Sequence, residues 1–189
     1  MEVLEEPQLL RHRLTAEEYG RMAESGVLPP DVRVELIDGE VIDMAPMGSR
    51  HYSTVARLHR LLERAIQDRG IVVAQAPLRL SAHDEPEPDL VVLKPREDFY
   101  AGALPTGTDC LLVIEISDTT LAYDVRIKAP LYASHGVPEY WVIDLPGQAL
   151  RRFSAPLGGE WQQITTLKHP GRIALPGLSG TEVDLSSVF

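Results

Sequence analysis

Residues 111–117 read Leu-Leu-Val-Ile-Glu-Ile-Ser, and residues 85–93 read Glu-Pro-Glu-Pro-Asp-Leu-Val-Val-Leu. The runs 90–93 and 111–116 are apolar on both faces, the pattern of strands in the middle of a sheet that is covered on both sides. One acid interrupts the second run and another stands at the mouth of the first. Alternation along a strand puts Glu115 on the face of Val113 and Ser117, and Asp89 on the face of Val91 and Leu93. A charge buried there costs several kcal/mol unless it is paired or metal-bound, so both acids need partners. If the strands are neighbours, the two carboxylates converge.

Around these strands the chain supplies helices and further strands. Thr15 followed by Glu18 is a capping box and opens a short helix over 14–24. Residues 32–44 alternate around Asp38-Gly39, the signal for a tight hairpin whose register sets Glu35 beside Ile42. Val55, Leu58, Leu62 and Ile66 recur at helical spacing over 53–69, Gly70 ends that helix, and His51 lies one turn before Val55. Residues 71–77 are β-branched and read as a strand. Residues 123–134 read as a helix that Gly136 stops and that Pro130 should kink, since proline removes a hydrogen bond. Residues 139–144 form another strand, and 151–153, 161–164 and 173–175 further short ones. The order implies a mixed sheet flanked by helices, in the α/β or α+β class, with an N-terminal hairpin and extra C-terminal strands.

Composition bounds the function. At 189 residues, with 44% hydrophobic and 24% charged residues, the chain is expected to fold as one domain over 1–189. No run approaches the ~18 apolar residues of a membrane span, and the acidic opening Met-Glu-Val-Leu-Glu-Glu-Pro is unlike a signal peptide, so a cytoplasmic protein is expected. Cys110 is the single cysteine, which rules out an intrachain disulfide and a cysteine-based zinc site and makes it a small core residue. The net charge of −10 speaks against a surface that grips nucleic acid everywhere. Carboxylates gathered around divalent cations would change that balance.

Two convergent carboxylates suit Mg²⁺ or Mn²⁺, hard ions that take oxygen ligands and keep several waters. Each acid alone has an ordinary reading as an ion-pair partner or a cap. Asp124, Lys128 and Tyr132 share one helical stripe, and by spacing alone Asp124 and Lys128 are an exposed pair worth a few tenths of a kcal/mol. Lys128 rises above that reading only beside the strand acids.

Glu35-Leu-Ile-Asp-Gly-Glu40, His51, Pro88-Asp89, Val113-Ile-Glu115-Ile-Ser117, Asp124, Lys128 with Tyr132, and Gly136-Val-Pro-Glu-Tyr-Trp-Val-Ile-Asp144 follow one another in this order. Together they resemble the Uma-two family of restriction-endonuclease-like proteins, from about Leu14 to the C-terminus, where Leu175-Pro-Gly-Leu178 also fits. The resemblance implies a PD-(D/E)XK nuclease fold in which Asp89 is the first acid, Glu115 the second, and both are metal ligands. Ser117 stands where the superfamily carries lysine, and the resemblance implies that Lys128 supplies that cation from the following helix. Glu35, His51, Ser117, Asp124 and Tyr132 are secondary candidates, Tyr132 as a packing residue against the sheet.

The expected activity is Mg²⁺- or Mn²⁺-dependent hydrolysis of a DNA phosphodiester, with RNA left open as the partner, no membrane partner, and a homodimer as an arrangement suited to cutting two strands. A catalytically silent nuclease-fold binding module and a hydrolase of small phosphoesters are the rival readings.

Overall fold

The computed structural model describes residues 10–29 and 31–189; the acidic opening segment read for targeting lies outside the described residues. Helix α1 is Ala16–Glu24, and its capping box forms in full: the Thr15 hydroxyl accepts from the Glu18 N–H at 3.2 Å while the Thr15 N–H donates to the Glu18 carboxylate at 2.8 Å. Strands β1 (Val34–Ile37) and β2 (Glu40–Asp43) make the hairpin, with Glu35 opposite Ile42. Asp38 and Gly39 both have positive φ, 52° and 74°, as a two-residue hairpin of this twist requires. Helix α2 is Ser49–Ile66, followed by a 3₁₀ turn, Gln67–Arg69. It starts a turn earlier than the apolar spacing indicates, after the extended Gly48, so that His51 is part of the helix.

The central sheet contains β3 (Ile71–Ala74), β4 (Leu90–Leu93), β5 (Cys110–Ser117), β6 (Glu139–Asp144), β7 (Ala149–Leu157) and β8 (Glu160–Lys168), side by side in that order. Only β5 and β6 run parallel; every other neighbouring pair is antiparallel. A parallel pair cannot be closed by a hairpin, and the crossover is helical. Strands β9 (Arg172–Ala174) and β10 (Glu182–Asp184) form a separate antiparallel pair. The protein is thus an α/β fold with a mixed six-stranded sheet. No helix among the described residues is long and apolar enough to cross a membrane.

Alternation on the strands divides the core into two layers. Ile114 and Ile116 of β5 face α2 and the C-terminal segment around Ile173, Leu178 and Val183, while Val113 faces the crossover helix with Ala129 and Tyr132. Glu115 therefore points toward the crossover helix. Cys110 is fully buried at the start of β5, and burial pushes its thiol up to about 12.

The crossover helix α3 has three consecutive segments: α-helical Leu121–Tyr123, π-helical Asp124–Lys128 and α-helical Ala129–Ser134. The expected kink at Pro130 appears instead as the wide turn before it. The Ala129 N–H reaches back five residues to the Asp124 carbonyl, and Pro130 then falls in the first turn of a restarted α-helix, where its missing N–H is tolerated. Strands β7 and β8 are nine residues each, longer than the short apolar runs within them suggest.

Candidate active site

The β4–β5 register opposes Leu90 to Ile114, which puts Asp89, the residue before β4, across from Glu115. The two acids brace each other's backbone. The Asp89 N–H donates to Glu115 Oε2 at 3.3 Å, and the Ile116 N–H donates to Asp89 Oδ2 at 2.8 Å. Pro86 and Pro88 favour an extended approach to the strand mouth, and that segment pairs with the hairpin: Leu36 bridges Glu85, and the Glu87 N–H donates to Glu35 Oε2 at 3.2 Å. The hairpin thereby delivers Glu35, buried at 2% exposure, to the same place.

Lys128 enters from the π-helical turn of α3, buried at 3% exposure. Its ammonium lies 2.8 Å from Glu115 Oε1 and 3.0 Å from Glu35 Oε2. The exposed Asp124–Lys128 pair that spacing suggests does not form. Asp124 instead accepts from the Ser117 hydroxyl at 2.6 Å and the Thr120 hydroxyl at 2.7 Å. Tyr132 packs tilted against Tyr140, with ring centroids 4.9 Å apart, and also donates its hydroxyl to Glu115 Oε1 at 3.1 Å. His51 Nε2 lies 2.9 Å from Asp89 Oδ2, and His51 Nδ1 is buried without a partner among the described residues.

All eight residues singled out in the sequence thus come together, six of them lining one pocket of about 370 Å³: Glu35, His51, Asp89, Glu115, Asp124 and Lys128. Sequence reasoning missed Tyr123, whose hydroxyl donates to Glu35 Oε1 at 3.1 Å and whose ring lies beneath the Lys128 ammonium, 5.8 Å from its centroid. It also missed Arg33 and the loop 44–48, which form part of the rim. Tyr123 lies five residues before Lys128, a separation that brings two side chains together on a π turn and not on an α-helix; no α-helical stripe reveals it.

Four buried carboxylates face one lysine and one histidine, and the charge balance is strained. Burial pushes the Glu115 carboxyl well above the usual carboxylate range; Lys128 pulls it back, while Asp89, Asp124 and Glu35 push it further up. Burial also opposes the Lys128 charge, yet Glu115 and Glu35 outweigh it and hold the ammonium protonated. Burial raises Asp124 against the pull of the Ser117 and Thr120 hydroxyls. The hydrogen bond to Asp89 raises His51 above the ordinary imidazole range.

This donor set fits a hard divalent cation. Glu115 Oε1 and Asp89 Oδ2 are each doubly engaged, which leaves Glu115 Oε2 with one long bond and Asp89 Oδ1 with no hydrogen bond among the described residues. Among the described residues no group of three or more His, Cys, Asp or Glu side chains is placed to hold a metal ion by itself. Magnesium commonly uses one or two carboxylates and completes its shell with water and substrate phosphate, so the free Asp89 Oδ1 and the lightly engaged Glu115 Oε2 match its donor chemistry.

The family model "Uma2: Putative restriction endonuclease" matches residues 16–186. The chain belongs to this family. A crystal structure of a "putative nuclease belonging to DUF820" from Anabaena variabilis superposes with a TM-score of 0.70 at 18% sequence identity, covering 93% of this chain and 97% of that one. At that identity the likeness bears on the fold, which the two share. No curated protein matched the sequence. The Uma2 match spans the hairpin, both acids, the crossover helix and the C-terminal strands, so every candidate residue lies inside it.

Proposed function

We propose that the chain is a divalent-metal-dependent nuclease, principally a DNA endonuclease, with residues 1–189 acting as one PD-(D/E)XK-like domain in the cytoplasm. The observation that carries this reading is the register that opposes Asp89 to Glu115, with the Lys128 ammonium 2.8 Å from Glu115 at the floor of an open pocket. Family membership supports the same reaction class. A metal-cage enzyme of another class would need a fuller ligand set.

Asp89 and Glu115 would hold Mg²⁺ or Mn²⁺. Such an ion supplies Lewis acidity toward a phosphoryl oxygen and a water of lowered pKa. The remaining work falls to the chain's own side chains. Lys128 donates to Glu115 and lies within ion-pair distance of Glu35, and its remaining N–H capacity would position the attacking water or offset charge on the phosphate. Glu35 holds Lys128 from the hairpin, and Tyr123, on α3 itself, holds Glu35 through its hydroxyl. Ser117 does not replace the superfamily lysine chemically; it ties Asp124, and with it the π turn, to the end of β5. His51 orients Asp89. A homodimer is the assembly that would present two such sites to the two strands of a duplex.

The test is cleavage of plasmid and oligonucleotide substrates with Mg²⁺ and Mn²⁺, DNA and RNA in parallel, comparing wild type with Asp89→Ala. Metal-dependent cleavage that falls at least 100-fold in the variant is the expected result. Metal-independent cleavage, or equal activity in the variant, removes the reading.

A further inference from the structure

Helix α2 departs from the rest of this acidic protein. Its 18 residues contain Arg50, Arg57, Arg60 and Arg64, and Glu63 as their one acid, in a chain whose net charge is −10. At about 100° per residue the four arginines fall within a sector of roughly 80°, opposite the buried face of Val55, Leu58, Leu62 and Ile66. All four are exposed.

Elsewhere most arginines are answered by acids, among them Arg33 by Glu87, Arg79 by Glu85, Arg96 by Asp98, Arg151 by Asp144 and Arg152 by Glu139, and those without an ion pair among the described residues, Arg21, Arg69, Arg126 and Arg172, stand singly on separate elements. Among the described residues Arg57, Arg60 and Arg64 make no ion pair, and Glu63 pairs with His59. Arg57 donates to the Ser187 carbonyl, which leaves its charge uncompensated. Like charges three and four residues apart on a helix repel each other, and a merely solvated face is ordinarily mixed in sign.

The stripe begins at the proposed active site. Arg50 lies 3.5 Å from Asp118, and Asp118, Gly48 and His51 all line the pocket. From Arg50 to Arg64 the helix rises about 21 Å, the axial length of about six phosphates of one DNA strand. We propose that the outer face of α2 is the track on which the phosphodiester backbone of a DNA duplex lies as it reaches the pocket. The proposal rests on the nuclease reading for the role of the pocket, and on the unpaired arginine stripe for the track itself. It also locates the basic surface that the net charge hides.

The experiment uses the whole chain and compares wild type with R57A/R60A/R64A and with R57K/R60K/R64K. Binding of a fluorescent DNA duplex is followed by anisotropy across a salt series with Ca²⁺, and hydrolysis of bis(p-nitrophenyl) phosphate is followed with Mn²⁺. The alanine variant is expected to bind DNA at least 10-fold more weakly at low salt, with its log–log salt slope reduced by about three, one for each lost phosphate contact. The lysine variant should bind like wild type, since the contact needs charge and not a planar fork. Both variants should hydrolyse the small diester at the wild-type rate. If wild type hydrolyses no diester while the alanine variant still loses DNA binding, the nuclease reading fails and the track stands. If wild type cleaves DNA and the alanine variant binds it with unchanged affinity and slope, the track is overturned and the reading stands. Loss of small-diester hydrolysis in the alanine variant, or failure of wild type to bind duplex at all, also overturns the track.

Discussion

At the scale of single residues, Glu115 is a carboxylate buried at 4% exposure inside Leu-Leu-Val-Ile-Glu-Ile, and it cannot be left without partners. The need is legible in the sequence, and the partners are not. Asp89 could be placed at a strand mouth, but only the register shows that it opposes Glu115. Lys128 was misleading by spacing: an i,i+4 relation to Asp124 suggests a surface pair, whereas the ammonium is buried between Glu115 and Glu35. The difference has an energetic consequence. Removing one member of a buried ion cluster leaves the others uncompensated, so Lys128→Ala should lose about 3 kcal/mol of stability in addition to activity. Adding Glu115→Gln to that variant should recover part of the loss by removing one stranded charge. Lys128→Arg should stay folded and cleave at least 100-fold more slowly, since a planar guanidinium does not reproduce a compact ammonium between two carboxylates. Urea titrations and single-turnover cleavage rates check both. Wild-type stability and rate in the alanine variant would remove Lys128 from both the charge balance and the chemistry of the site.

At the scale of elements, the readings that succeeded rest on strong local constraints: the Thr15–Glu18 box, the Asp38-Gly39 turn, and strands apolar on both faces. The π turn of α3 was not legible because sequence marks only that Pro130 disturbs a helix, not how the backbone absorbs the disturbance. The length of β8 was hidden for a different reason. Gln162, Gln163, Thr165 and Thr166 are exposed and show no apolar alternation, and they are strand because β7 pairs with them. The hairpin is the element with most influence on the site, since it carries Glu35 and with it one of the two carboxylates on Lys128. Gly39 sits at its tip with φ 74°, and a Cβ there would lie 2.6 Å from the Cβ of Arg13 and 2.8 Å from its Cα. Gly39→Ala should therefore cost about 1–3 kcal/mol from the left-handed backbone and the collision together. Because the hairpin must shift, cleavage should also fall, while a Thr15→Ala variant that loses only the α1 cap, about 1 kcal/mol, should cleave normally. Thermal melts paired with activity at a temperature where both variants remain folded separate the two effects; normal cleavage in Gly39→Ala would detach the hairpin from the site.

At the scale of the whole molecule, the central tension is between a net charge of −10 and the polyanionic substrate proposed for it. Long-range repulsion is screened beyond about 8 Å at physiological salt, so most of the surface acids do not reach the bound phosphates. The pocket acids would: Glu35, Asp89, Glu115 and Asp124 line the pocket proposed to receive the reacting phosphate, against Lys128 and His51. On the proposed reading, without a divalent cation that pocket would repel the scissile phosphate, and binding would depend on the arginines of α2. With one bound, two negative charges are cancelled at the point of contact. DNA affinity should therefore be weak in chelator, rise at least 10-fold on adding Ca²⁺ or Mn²⁺, and fall with salt in both states with a log–log slope set by the number of phosphate contacts, about three of them from Arg57, Arg60 and Arg64. The metal-induced gain should vanish in Asp89→Ala, which loses a ligand, and persist in R57A/R60A/R64A, which keeps the pocket and loses only the track. Anisotropy with and without the ion, at matched ionic strength, measures both gains. Tight binding in chelator at moderate salt, or an equal metal-induced gain in Asp89→Ala, would mean that the pocket carboxylates are not where the charge of the substrate is answered.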